Sequence, residues 1–135
     1  MIDTAVKVGD TLPTLTVGPI SRATLALYAG ASGDENPIHI DIDFAKMAGF
    51  DDVFAHGMLN MGYLGRLLTQ WRPQSHLRKY SVRFKGMVQV HDCIHFSAVV
   101  RAIDQQRDRA IATLDLTATN QNGLVALQGE AIVML

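Results

Sequence analysis

The spacing of hydrophobic and polar positions changes once along this chain. From Gly57 to about Trp71 nearly every position is apolar, which predicts one long helix buried on all its faces. From Lys79 onward apolar and polar residues alternate, as they do in half-buried strands. The predicted strands are Lys79–Lys85, a strand that ends at about Val100, then Ala110–Thr119 and Leu124–Val133. The pattern predicts an α+β fold in a single domain, residues 1–135, with one antiparallel sheet wrapped around a central helix.

In the first half of the chain the sequence predicts shorter strands and helices. Val6–Asp10 reads as a short edge strand with a turn, and Leu15–Gly18 as a second extended piece. Ser21 is a suitable N-cap for a helix that ends by Gly33. Asp43 is predicted to cap another, shorter helix. The long helix is therefore preceded by two small ones.

Composition narrows the class of protein. Of 135 residues, 48% are hydrophobic and 19% charged, which is typical of a globular protein with a filled core. The net charge is −1 and no Lys/Arg stripe forms, so we expect no nucleic-acid partner. The single Cys93 suits a reducing compartment. Met1–Thr4 lacks the features of a signal peptide, and no apolar run reaches the roughly 20 residues of a membrane span. We expect a cytoplasmic protein with no membrane partner.

A turn-rich segment after the first predicted helix holds two groups that can move protons, Asp34 and His39. Gly33 permits backbone conformations closed to other residues, and Pro37 fixes its own φ. A loop restrained in this way can hold a carboxylate and an imidazole in one relation, which general acid–base catalysis requires. An ordinary turn with an exposed histidine is the alternative that spacing alone leaves open.

Tyr28–His39 resembles the hydratase motif of the MaoC-like, (R)-specific enoyl-CoA hydratase family. The motif is an aromatic residue, then Ser-Gly-Asp-x-Asn-Pro-Ile-His, then a small residue, which is Ala45 here. Ala55–Leu59 resembles the second signature of that family. The resemblance extends over essentially the whole chain. It implies a hotdog fold, usually built as a dimer with a continuous sheet.

The resemblance also implies a reaction, the hydration of trans-2-enoyl thioesters to (R)-3-hydroxyacyl thioesters, or the reverse dehydration. Asp34 and His39 would activate one water molecule between them. The N–H of Gly57 would stabilise the thioester oxygen, because the first N–H groups of a helix lack partners and lie at the positive end of its dipole. No cofactor is expected beyond the substrate's own carrier, either coenzyme A or the phosphopantetheine of an acyl-carrier protein.

Four further residues in the two signatures are expected to bind substrate or to support the site. Asn36 is expected to orient the loop or to bond His39, rather than to touch substrate. Ser32 is a cap or a supporting donor, and His56 has a structural or a catalytic role. Met58 follows Gly57 in the second signature.

Two glycines of the long helix, Gly62 and Gly65, lie on one face and are predicted to let another backbone come close. Many of the hydratases carry Ser eight residues after the oxyanion glycine, where this chain has Gly65. A supporting hydrogen bond of those relatives is therefore expected to be missing.

Two sets of residues have the types of side chain that bind metal ions. A metal could be held by His39, Asp41 and Asp43, but carboxylates near a helix start are ordinary caps. The second candidate set is His91, Cys93 and His95, but residues four apart on a strand lie about 13 Å apart, too far to share one ion easily. We therefore expect no metal.

Two other functions suit the same fold. A hotdog thioesterase would hydrolyse the thioester, but such enzymes usually arrange their carboxylates differently. A non-catalytic subunit would bind acyl thioester beside a related hotdog chain in a heteromeric hydratase. This chain has both acid–base groups, so we expect it to be active, most simply as a homodimer or higher homo-oligomer.

Overall fold

The computed structural model describes residues 6–135, so the expectations for Met1–Thr4 and for a domain beginning at residue 1 lie partly or wholly outside the described residues. The helices are α1 (Arg22–Ser32), α2 (Ile42–Met47) and α3 (Gly57–Trp71), with 3-10 turns at Pro37–His39 and Gln74–His76. The strands are β1 (Leu15–Val17), β2 (Leu77–Phe84), β3 (Ile94–Gln106), β4 (Arg109–Asn120) and β5 (Val125–Met134).

The five strands form one antiparallel sheet in the order β1-β3-β4-β5-β2. This arrangement confirms the predicted α+β class. β3 continues beyond its predicted end at about Val100, because its backbone stays paired with β4 as far as the Gln106–Arg109 register. The last residues of β3 are polar and exposed, so the alternation of apolar and polar positions does not predict that the strand includes them. Within residues 6–135 no helix is both long enough and apolar enough to cross a membrane.

The core lies between α3 and one face of the sheet. From α3 it takes Leu64, Leu67 and Leu68, which pack with sheet residues such as Phe96 and Leu114 in one buried cluster. The prediction that α3 is buried on all faces is wrong, since Met58 is 57% exposed and Arg66 is also exposed. The sheet covers only one side of the helix, which composition cannot reveal.

Two sequence predictions in the first half are also wrong. Val6–Asp10 is not a strand, because Gly9 turns the chain with φ +93°. The segment is instead tied to β3 by backbone bonds, including one of 2.7 Å from Gly9 N–H to the Val100 carbonyl. Asp41, not Asp43, caps α2, and its Oδ1 accepts from the N–H groups of Asp43 (3.0 Å) and Phe44 (3.3 Å).

The prediction that Gly62 and Gly65 let another backbone come close to α3 is wrong. Gly65 faces a side chain and Gly62 faces open space. A Cβ on Gly65 would lie 3.3 Å from the ring of Tyr80, whereas one on Gly62 would meet no described atom within 4 Å. The Tyr80 hydroxyl donates to the Met61 carbonyl at 2.6 Å, and burial raises its pKa, so it stays a donor. A Ser at position 65 would bond that same carbonyl, four residues back. Tyr80 therefore occupies the space and the acceptor that a serine would use.

This difference predicts opposite outcomes for two alanine substitutions. Gly62→Ala should raise the free energy of unfolding by about 0.5–1 kcal/mol, because alanine is the better helix former. Gly65→Ala should gain less or lose stability, since the Tyr80 ring must shift to admit a methyl group. Urea denaturation of both variants measures the difference. Equal gains at the two positions would show that the Tyr80 contact does not constrain α3.

Candidate active site

The end of α1 places Asp34. Ser21 caps the helix as predicted, its Oγ accepting from the Thr24 N–H at 3.0 Å, and Gly33 ends it with φ +78°. The N–H of Asp34 then donates to Ser32 Oγ at 3.1 Å. Ser32 thus restrains the backbone of Asp34, whose side chain stays exposed.

Side-chain oxygens fix the loop that follows. Asp34 Oδ1 accepts from the Asn36 N–H (3.3 Å), and Asn36 Oδ1 accepts from the Ile38 N–H (3.1 Å), beginning the 3-10 turn. These bonds agree with the expectation that Asn36 orients the loop. The turn delivers His39 back toward Asp34.

A backbone carbonyl fixes the tautomer of His39. Its Nδ1 lies 2.7 Å from the Phe54 carbonyl oxygen, which can only accept, so Nδ1 carries the proton. The neutral ring then has its lone pair on Nε2. The half-buried ring also meets Phe54 edge to face, with centroids 5.0 Å apart. His39 is therefore held with a free proton acceptor at Nε2.

His56 lies behind both of these groups. It immediately precedes α3, is 1% exposed, and donates from Nε2 to the Asp34 carbonyl at 3.1 Å. Its ring stacks on His39 with centroids 4.0 Å apart and planes 27° apart, and it meets Tyr28 edge-on. Burial lowers the pKa of His56 and nearby His39 lowers it further, against the opposing effect of the bond to Asp34. His56 therefore favours its neutral form.

A carboxylate oxygen of Asp34 and one ring nitrogen each of His39 and His56 lie within 4.8 Å of one another. One water molecule can span such a gap with two hydrogen bonds of about 2.8 Å each. These three side chains are also of the types that bind metal ions, a set that was not among the metal sets considered from the sequence. Neither metal set considered from the sequence forms a cluster within residues 6–135, and His95 Nδ1 pairs with the Thr16 hydroxyl.

Gly57 begins α3 beside an apolar pocket of about 180 Å³. A Cβ at Gly57 would lie 2.9 Å from the Phe84 ring, so a larger side chain would crowd the pocket wall. Met58 is not part of that wall. The pocket is lined by Phe54, Ala55, Gly57, Asn60, Phe84, Gly86, Met87, Val88, Ala126 and Leu127. A larger groove of about 520 Å³ lies elsewhere, along β2, and contains none of the predicted site residues.

Comparison with known proteins places this arrangement in a family. A family model described as "MaoC like domain" matches residues 3–122. The chain belongs to the MaoC-like family. The structure of the (R)-hydratase from A. caviae involved in PHA biosynthesis superposes with a TM-score of 0.85 at 32% identity, over 96% of this chain and 97% of that one. That similarity confirms the hotdog fold expected from the resemblance.

Two curated relatives of this MaoC-like chain cover most of its length. The mitochondrial 3-hydroxyacyl-[acyl-carrier-protein] dehydratase of Arabidopsis thaliana is 31% identical over 98% of this chain and 79% of its own. The (R)-specific enoyl-CoA hydratase of Aeromonas caviae is 36% identical over 84% of each chain. Both names denote hydro-lyases, which supports the expected enzyme class.

Apart from Ala55 and Gly57 in the second signature, the sequence of this MaoC-like protein did not indicate the residues of the pocket wall. Phe84 has the alternation of an inward-facing strand residue, but nothing in the pattern pairs it with Gly57. Asn60 is an isolated polar residue in an apolar helix, and it is 3% exposed. That isolation was the one available signal for a residue of the site.

The lowered pKa of His56 predicts an acid-sensitive fold. Below about pH 6.5 the unfolded chain protonates this histidine while the folded MaoC-like protein resists doing so. The stability contributed by neutral His56 should therefore be fully present above pH 6.5. Below that pH the free energy of unfolding should fall as pH decreases, by up to about 1.4 kcal/mol per pH unit. Denaturation at pH 7.5 and 5.5, on wild type and His56→Phe, measures this slope. Parallel curves for the two proteins would contradict it.

Proposed function

We propose that this protein catalyses the reversible, (R)-specific hydration of trans-2-enoyl thioesters. The observation that carries the proposal is the convergence of the Asp34 carboxylate and the His39 ring within 4.8 Å, next to the first residue of α3. The names of the two curated relatives support the same chemistry.

A water molecule bound between Asp34 and His39 would donate one hydrogen bond to the carboxylate and one to Nε2. As the water oxygen bonds to C3, one of these two acceptors takes its proton, and the π electrons of the C2–C3 bond move toward the thioester. The Asp34–His39 pair then returns a proton to C2 on the same face. The net change is the addition of one water, with no other reactant.

The negative charge that develops on the thioester oxygen needs a fixed donor. The N–H of Gly57 has no acceptor within its helix and lies at the positive end of the α3 dipole. A donor already in place costs no reorganisation during the reaction. The neighbouring pocket of about 180 Å³ has room for roughly six water-sized volumes, which favours a short acyl chain.

We propose that the active unit is a homodimer with a continuous sheet. β2 lies at one edge of the sheet and, at eight residues, is much longer than β1 at the other edge. The backbone groups on its outer side are therefore available to pair with a second copy. The single cysteine, Cys93, is free and suits the cytoplasm. The carrier is coenzyme A or an acyl-carrier protein.

The deciding assay is hydration of trans-2-butenoyl-CoA and of the same acyl group on an acyl-carrier protein, followed by chiral analysis. We expect loss of the enoyl absorbance and an (R)-3-hydroxy product with at least one carrier. Release of free thiol would indicate a thioesterase instead. Thioester binding without either reaction would indicate a non-catalytic subunit.

A further inference from the structure

His56 contacts both groups that the proposed reaction uses, but it does not line the acyl pocket. It donates to the backbone of Asp34 at 3.1 Å and stacks on the ring of His39 at 4.0 Å. The residue is 1% exposed and absent from the pocket lining. The side chain of His56 therefore contacts the proposed reacting groups at the Asp34 backbone and the His39 ring.

Two histidine-to-carbonyl bonds run in opposite directions between the same two segments. His39, in the loop, donates to the Phe54 carbonyl ahead of α3 (2.7 Å), and His56, at the start of α3, donates to the Asp34 carbonyl in the loop (3.1 Å). The two rings lie stacked between these bonds. The crossed pair holds the loop that carries the acid–base groups against the helix start that carries the N–H of Gly57.

Packing alone does not explain a histidine at this position. Nδ1 of His56 is buried and has no hydrogen-bond partner among the described residues. A buried acceptor without a donor costs stability, so a hydrocarbon ring would pack here at lower cost. The property that histidine adds is its Nε2–H donor to Asp34.

We infer that His56 is a positioning residue whose N–H donor fixes the Asp34 backbone relative to Gly57. The inference rests on the proposed hydratase function. Displacing a catalytic group by about 1 Å can cost about 100-fold in rate. Loss of this bond should therefore lower kcat and leave KM nearly unchanged, because His56 is not among the residues that line the acyl pocket.

Two substitutions separate the donor from the ring. His56→Phe keeps a ring that can stack on His39 and removes the donor, whereas His56→Gln keeps an N–H near the position of Nε2 and removes the ring. We expect His56→Phe to lower kcat by about 10- to 100-fold with KM within about twofold. We expect His56→Gln to recover much of that loss.

The matched control is His76→Phe. His76 also donates from a ring nitrogen to a distant carbonyl, that of Met134 at 3.0 Å, but it has no part in the site. Its substitution should leave kcat within about twofold. Amide hydrogen exchange over residues 34–40 gives a readout independent of activity, and it should speed up in His56→Phe but not in His76→Phe.

The outcomes distinguish this inference from the proposed function. A wild type that hydrates no enoyl thioester overturns both. An active wild type with unchanged kcat and unchanged exchange in His56→Phe overturns the positioning role alone. Equal loss of kcat in His56→Phe and His56→Gln would also overturn it, since restoring the N–H donor would then recover no activity.

Discussion

Asp34→Asn and His39→Asn should each lower kcat for hydration by about 10²- to 10⁴-fold, the usual value of one general acid–base group. Both substitutions preserve local hydrogen bonds. An asparagine in place of Asp34 retains an oxygen for the Asn36 N–H, and an asparagine in place of His39 offers its amide N–H to the Phe54 carbonyl. The variants therefore remove proton transfer with little change in loop geometry.

The double variant sharpens this test. Because both groups act on one water molecule, the effects of the two substitutions should not multiply. The double variant Asp34→Asn with His39→Asn should have nearly the same kcat as the less active single variant. Asp51→Asn removes an exposed carboxylate that is not part of the Asp34–His39–His56 cluster, and it serves as the control. Steady-state kinetics on the wild type and these four variants, with circular dichroism to check folding, measures the effect. Full activity in either single variant would remove that residue from the mechanism.

Gly57→Pro should lower kcat about 10²- to 10³-fold more than Gly57→Ala, the usual effect of losing one oxyanion donor. Both substitutions place a Cβ against the Phe84 ring, but only proline removes the N–H. Proline is favoured at the first position of a helix. The preceding His56 already has φ −58° and ψ 133°, which is the conformation that proline requires before it.

The comparison of the two Gly57 variants isolates the backbone donor from crowding in the pocket. Phe84 is 54% exposed, so its ring can move to admit the shared Cβ. Thermal denaturation should show both variants folded. If proline and alanine cost the same in kcat, the thioester oxygen does not rely on this N–H.

Local signals explain what could be predicted from the sequence. Ser21 and Gly33 bound α1 as expected, and α3 has its predicted limits at Gly57 and Trp71. Caps, glycine conformations and apolar period all act within a few residues. These signals gave the wrong N-cap for α2, Asp43 in place of Asp41. The two residues have the same side chain two positions apart, and only the folded turn shows which carboxylate accepts from the first N–H groups of the helix.

By itself the sequence determined the class of fold, the family and the loop that places Asp34 and His39 on one short segment. The tertiary structure decided which groups surround them. The bonds from His39 to Phe54 and from His56 to Asp34 join residues 15 and 22 positions apart, and Tyr80 meets Met61 from a different element. Such contacts depend on how the helices and sheet pack, which periodicity along one segment does not encode. The tautomer of His39 and the neutral state of His56 follow from that packing.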